Sequence, residues 1–357
     1  MTRNIVKALF YEILVDTKLL ESFIRRVILV SFILLSTIAP DFARADSLLY
    51  YELRPENFPQ ELQSLVSRLG AQQPLASTQP GAVNHRELER IRNEAKQKLT
   101  QLSRGYSDEL WFIIGLSSEA LGELPQALEA YDKASQFSVR DPLPRFRHAL
   151  LRKKQQEFRP ALDELKEVLW QARASEHEVL FVMAECLHAL GLDEEAKTHL
   201  ERARAMNPQF APALRLLVQT RMKLISTAQL PGEKLAAESL IIADLQALTA
   251  IEPNDRESQL QLTRMLLKSS DPLFDSAQLK RGQALATQVA EESKYKDETA
   301  VRLLFDIHLK LKDLKAAEDV ALRGLKANPN SATLKDAQAQ LAIETESVAK
   351  EKEILVR

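Results

Sequence analysis

Apolar positions recur along this chain on two scales. In short windows they fall at i, i+3 and i+4, the stripe of an amphipathic helix. Over longer ones the same stripe returns every 34 or 35 residues between 108 and 208. Trp111, Ile114 and Gly115 lead to Gly122, Leu124, Ala127, Tyr131 and Ala134. Next come His148, Ala149, Phe158, Ala161, Leu165 and Val168. Then Leu180, Met183, Ala184, Leu187, Gly191, Ala196, Leu200, Ala203 and Pro208 complete the third copy.

The spacing describes two helices folded back on each other. Gly115, Ala149 and Ala184 are small, so a second helix can come close. That helix offers Ala127, Ala161 and Ala196 at the contact, followed by the larger Tyr131, Leu165 and Leu200. Gly122 and Gly191 stand where the first helix must stop and reverse, a place for positive φ. Pro125 and Pro160 fall near the start of the second helix, where a missing N–H costs nothing. Each hairpin keeps one spare apolar face, which only a neighbouring hairpin can bury.

These residues resemble the tetratricopeptide repeat, a 34-residue helical hairpin. The resemblance covers 107–330, and it implies an all-α fold: a right-handed superhelix of about six hairpins with a concave binding face. After Pro208 the period loosens. Helices are expected over 211–223 and 234–251, with an insert around 226–232, then over 256–268 and 276–292, joined by a loop at 269–275. The sixth copy recovers Val301, Leu304, Phe305, Leu314, Ala317, Ala321, Gly324 and Pro329. Charged helices at 85–106 and 331–357 are expected to cap the two ends, with an extended segment and linker at 46–84.

Residues 27–39 form an apolar run behind Arg25 and Arg26, too short for a comfortable membrane span but suited to a secretory h-region. Ala43, Arg44 and Ala45 supply a small-x-small cleavage pattern. Residues 1–45 therefore resemble a bacterial signal peptide, with a mature chain from Asp46 in the periplasm. The rival is an uncleaved anchor in the inner membrane through 27–39. The stretch before Arg25 is long and amphipathic and carries Glu12, Asp16 and Glu21, unlike a short basic n-region. A translation start nearer Val15, Leu19 or Leu20 would reconcile it.

Composition adds little direction. Net charge is −2, so nothing global favours nucleic acid, and membrane association is expected only if the N-terminal segment is retained. The single cysteine, Cys186, rules out an intramolecular disulfide. No Gly-rich phosphate loop, H-E-x-x-H, C-x-x-C or G-x-S-x-G occurs. The six histidines are scattered over different repeats. No enzyme, cofactor or metal is expected.

The face of each first helix opposite the hairpin contact is expected to line the groove. There stand Phe112, Leu116 and Glu119, then Phe146, Leu150 and Lys153, then Phe181, Glu185 and His188. Three phenylalanines in register would form a ladder that anchors an apolar or helical segment of another protein. Alternatively they pack between adjacent first helices. The second repeat is basic (Arg140, Arg145, Arg147, Arg152, Lys153, Lys154, Arg159), and Arg215, Arg302 and Lys310 follow near equivalent places, with Leu260 between. The lysine–asparagine clamp of chaperone-binding relatives is absent, since Leu116 and Leu150 stand where asparagine would. The expected function is a non-catalytic scaffold of the cell envelope that binds a protein or peptide. The alternative is an accessory subunit of an envelope enzyme complex, such as cytochrome c maturation or polysaccharide export.

Overall fold

Among the described residues there are fifteen α-helices, and the turns between them show why they pair. The computed structural model describes residues 47–49, 53–72, 84–101, 106–138, 140–172, 175–227, 230–268 and 276–356. The expected signal segment, the loop at 269–275 and most of the linker lie outside the described residues. A 3-10 turn, Pro55–Asn57, leads into α1 (Gln60–Gly70) and α2 (His85–Gln101). Six helix pairs follow: α3 (Ser107–Ala120) with α4 (Leu124–Phe137), α5 (Leu143–Lys154) with α6 (Phe158–Gln171), and α7 (Glu176–Ala189) with α8 (Asp193–Met206). Next come α9 (Ala211–Thr227) with α10 (Pro231–Ile251), α11 (Arg256–Lys268) with α12 (Ser276–Glu292), and α13 (Glu298–Lys310) with α14 (Leu314–Ala327). The last helix is α15, Ala332–Val356. Among the described residues there is no strand, and no helix is long and apolar enough to cross a membrane.

Contacts divide the chain into two units, one through Val179 and one from Leu180, with the boundary inside α7. In the first unit, α1 and α2 pack on α3, and α4 packs on α5. In the second, α8 packs on α9, and α11 touches α13 as α13 touches α15. In the second unit the first helix α11 thus meets the next first helix α13, a contact expected of stacked hairpins. The end of the second unit is one apolar cluster. It joins Val289 of α12, Val301, Leu304 and Phe305 of α13, Ala317 and Ala321 of α14, and Leu334 and Leu341 of α15.

The turn within the hairpin repeats in detail. Gly122 and Gly191 both have φ 77°, and Gln156 and Lys312 hold the same register place at φ 65° and 59°. In all four the next residue donates its N–H to a carbonyl five residues back: Glu123 to Ser118, Glu157 to Arg152, Leu192 to Leu187 and Asp313 to His308, each at 2.9 Å. The bond satisfies a carbonyl at the helix end and reverses the chain within two residues. Glycine marked two of these turns in the sequence, and the other two place side-chain-bearing residues in left-handed backbone.

Small residues set the helix approach. A Cβ added to Gly115 would lie 2.5 Å from the Tyr131 ring, and one added to Gly324 would lie 2.6 Å from Val301. The extra residues of the fourth pair do not form a looped insert. They lengthen its helices to 17 and 21 residues, against 14 each for α7 and α8. No breaker interrupts 224–227, and Pro231 occupies the first turn of α10, where it is tolerated.

Where α8, α9 and α10 meet, Asp244 is fully buried and accepts from Arg221 and Arg204. Arg221 also donates to Glu201 at 2.7 Å. Burial raises the Asp244 carboxyl above its ordinary range, although Arg221 and Arg204 pull the other way.

Left-handed backbone costs a side-chain-bearing residue about 1–2 kcal/mol. Gln156→Gly and Lys312→Gly should therefore stabilise the chain by up to about 1 kcal/mol each, after the entropy of the extra glycine. Gly122→Ala and Gly191→Ala, whose new methyls would meet nothing within 4 Å, should destabilise it by a similar amount. Urea denaturation of the four variants reads this; the same sign for both pairs would contradict the turn geometry.

Candidate functional site

Helical periodicity places Glu109, Phe112 and Leu116 on one stripe of α3, and Leu143, Phe146 and Leu150 on the matching stripe of α5. Glu178 holds the corresponding place in the first turn of α7. This row is the expected groove face of the unit through Val179, and most of it is closed to solvent. Phe112, Leu116 and Phe146 are 5%, 3% and 0% exposed, and Leu143 is buried with them. The Phe112 ring sits 5.8 Å from that of Tyr131. An exposed ladder is therefore not what these residues make: Phe112, Leu116 and Phe146 are interior side chains, because leaving such area in water is costly. Leu150 and Lys153 are half-buried.

In the unit from Leu180, Phe181 is half-buried and meets Phe210 edge-on at 5.4 Å. Glu185 is half-buried as well. His188 Nδ1 lies 2.6 Å from Asp193, whose other oxygen takes Lys223 Nζ at 2.6 Å. Burial would push Asp193 up, but Lys223 and His188 hold it below its ordinary value. His188 therefore joins α7 to α8 and α9 rather than standing ready for a ligand.

The basic positions are mostly tied down. Arg145 faces Glu167 at 3.9 Å, Arg147 faces Glu119 at 3.9 Å, and Arg152 meets Glu157 at 2.7 Å. Arg215 reaches Glu252 and Asp255, the start of the next hairpin. Arg302 bonds Asp306 on its own helix and Gln340 on α15. Lys310 caps the end of α11 through the Leu267 carbonyl at 2.7 Å. The basic positions of the second repeat and beyond are thus largely stitches between neighbouring helices. Each pair is partly exposed and contributes little alone.

Two carboxylates in the row escaped the sequence reading. Glu178 is 4% exposed and spends both oxygens on the N-terminal segment. Oε1 accepts the Ser47 hydroxyl at 2.5 Å, and Oε2 accepts the Leu48 and Leu49 N–H groups at 2.6 and 3.0 Å. Glu109, one turn ahead of Phe112, has a buried Oε2 without a hydrogen-bond donor. Burial, the hydrogen bond with Asp108 and the charges of Asp108 and Asp141 push its carboxyl up to about 7. The recurrence at 109, 143 and 178 was the available signal, but the leucine at 143 broke it.

No family model matches the chain, and no curated protein matches it by sequence. Among solved structures it is similar to YrrB, a TPR protein with an unusual peptide-binding site, at 18% identity over 60% of this chain and 100% of that one, with a TM-score of 0.48. It is similar to PilF of Pseudomonas aeruginosa at 15% identity, covering 66% of this chain and 99% of that one, with a TM-score of 0.45. A tetratricopeptide repeat protein from Parabacteroides merdae is 14% identical over 80% of this chain and 100% of its own, with a TM-score of 0.45.

A carboxyl raised in the folded state holds a proton that the unfolded chain releases, so stability falls as pH rises from about 4.5 to about 7. Glu109→Gln keeps the neutral shape and should remove that slope. Its melting midpoint should match the parent near pH 4 and exceed it by about 2–4 °C near pH 8. An equal or lower midpoint at pH 8 would show that the Glu109 charge is stabilised by something else.

Proposed function

We propose that this chain is a non-catalytic scaffold that binds a protein or peptide segment along the face of its first helices. One observation carries the reading: the same hairpin turn recurs at 122 and 156 in the first unit and at 191 and 312 in the second, so the helix pairs of each unit are built to one geometry. The surface that results is a row of side chains rather than an enclosed pocket. In the unit from Leu180 the row includes Arg215 and Arg302, with side chains 42% and 27% exposed, and the half-buried Leu260 between them. With their charged heads paired to Glu252, Asp255 and Asp306, the arginine stems and the leucine together suit a segment that is mainly apolar.

The location proposed for this scaffold is the bacterial cell envelope. It is supported by the apolar run at 27–39 and the small residues Ala43 and Ala45. Cleavage ahead of Asp46 would leave the buried Ser47 and Leu48 contacts with Glu178 in place.

A benzophenone side chain introduced at Leu150, at Leu260 or at Trp170 tests the binding face in intact cells. Trp170 is 84% exposed on α6, a second helix. Photocrosslinks to the same outside protein from Leu260, with or without Leu150, and none from Trp170 are the expected result, on a chain whose measured N-terminus is Asp46. Crosslinks from Trp170 alone would overturn the choice of face, and a chain that keeps 1–45 would replace export with anchoring.

A further inference from the structure

The last helices of the second unit leave an open groove. Between them α14 and α15 enclose about 670 Å³, lined by Leu314, Ala321 and Leu322 on one side and Leu341, Ala342 and Thr345 on the other. Leu322 is 52% exposed, and Ile343, on the outer flank of α15, is 69% exposed. In the six pairs the first helix ends after 12 to 17 residues, and its partner packs back along it. α15 runs on for 25 residues, and no helix returns over it among the described residues. The consequence shows one repeat apart. Val301, Leu304, Phe305 and His308 of α13 are all buried. Their counterparts on α15 are Leu334, Ala337, Gln338 and Leu341. Leu334, Ala337 and Leu341 are buried too, but Gln338 is exposed, as are Ala342 and Thr345 beyond it.

Charge says what fits there. By helical period Lys335, Ala339, Ala342 and Glu346 form one stripe along the rim of the groove, and all four are exposed. A cation stands at one end, an anion at the other and two alanines between. Such a stripe is complementary to itself when reversed. A second α15 running antiparallel, about a two-fold axis between positions 340 and 341, sets Lys335 opposite Glu346 of the partner subunit at both ends. It also sets Ala339 opposite Ala342 of the partner subunit, where small side chains permit close approach. A parallel pairing would instead oppose like charges. Each ion pair is exposed and weak alone, so the charges choose the register while Leu322 and Ile343, flanking the stripe, supply apolar area. Gln340, which bonds Arg302, faces away from the stripe, so the first-helix row stays uncovered.

We infer that the α14–α15 face is a self-association surface, on which two copies of this chain join tail to tail through antiparallel α15 helices. The contact is isologous: the same stripe serves both copies, as two-fold symmetry requires. It goes beyond the binding row proposed above and does not depend on it. A pair of copies joined here offers two such rows, so a partner carrying two matching segments gains by engaging both.

Sedimentation velocity on the chain as its cell processes it tests this. Between about 1 and 200 µM, the range suited to an interface below standard size, it should show a reversible monomer–dimer equilibrium. Lys335→Glu and Glu346→Lys, both at exposed positions, should each weaken the dimer about ten-fold or more, because like charges then meet at both ends. An equimolar mixture of the two variants should dimerise again, since each supplies the charge the other lacks. The double variant, with the charges exchanged, should dimerise like the parent. A parent that stays monomeric throughout, or single variants that associate as tightly as the parent, would overturn the inference. So would a mixture no stronger than either variant alone, which separates this face from association through any other part of the chain. A benzophenone side chain at Ile343 that crosslinks in cells only to a different protein would give the groove to an outside helix instead.

Discussion

A helical hairpin of this length cannot bury its own apolar surface, and everything else in the chain answers that shortfall. Within the pair, contact is made close by removing side chain from one partner: Gly115 lies under the Tyr131 ring, and Gly324 under Val301 and Leu334. The face left over is then covered by the next pair, as α4 covers α5 and α12 covers α13. The ends need different covers. In the first unit α1 and α2 supply one on α3, and in the second α15 supplies another on α14 and α13. Stability is therefore spread over neighbouring interfaces rather than gathered in one core.

Buried carboxylates show three ways of meeting one cost. Asp244 is held by two arginines from neighbouring helices, which fixes how α8, α9 and α10 meet even though burial still raises its carboxyl. Glu178 is met by a hydroxyl and two backbone N–H groups from far away in sequence. Glu109 is met incompletely, and its carboxyl rises to about 7 as a result. The first arrangement is bound into the stack by side chains on three helices. The second ties α7 to a segment about 130 residues away in sequence.

The ion pairs along the first-helix face show what a charge pattern in the sequence leaves open. Arg145, Arg147 and Arg152 cluster in the sequence as a basic patch, yet each faces a glutamate from α3, α6 or the intervening turn. Sequence adjacency records which charges share a helix. It does not record which acids arrive from the helices packed beside it. The same limit applies to Phe112 and Phe146: their register was legible, but whether a ring at that register meets water depends on what lies over it.

What the sequence alone determined is local and periodic. The 34- and 35-residue spacing, the small residues at 115, 149 and 184 and the glycines at 122 and 191 were enough to set the helix pairs and their contacts, because those follow from helical period and backbone sterics. The long α9 and α10 in place of an insert, the left-handed Gln156 and Lys312, and the hydrogen bonds of Glu178 to Ser47, Leu48 and Leu49 were decided by tertiary structure. Each depends on groups brought together across many residues: a bond five residues back that outweighs a backbone preference, or a glutamate that finds its donors about 130 residues away. Period fixes which residues share a face, and only packing fixes what that face meets.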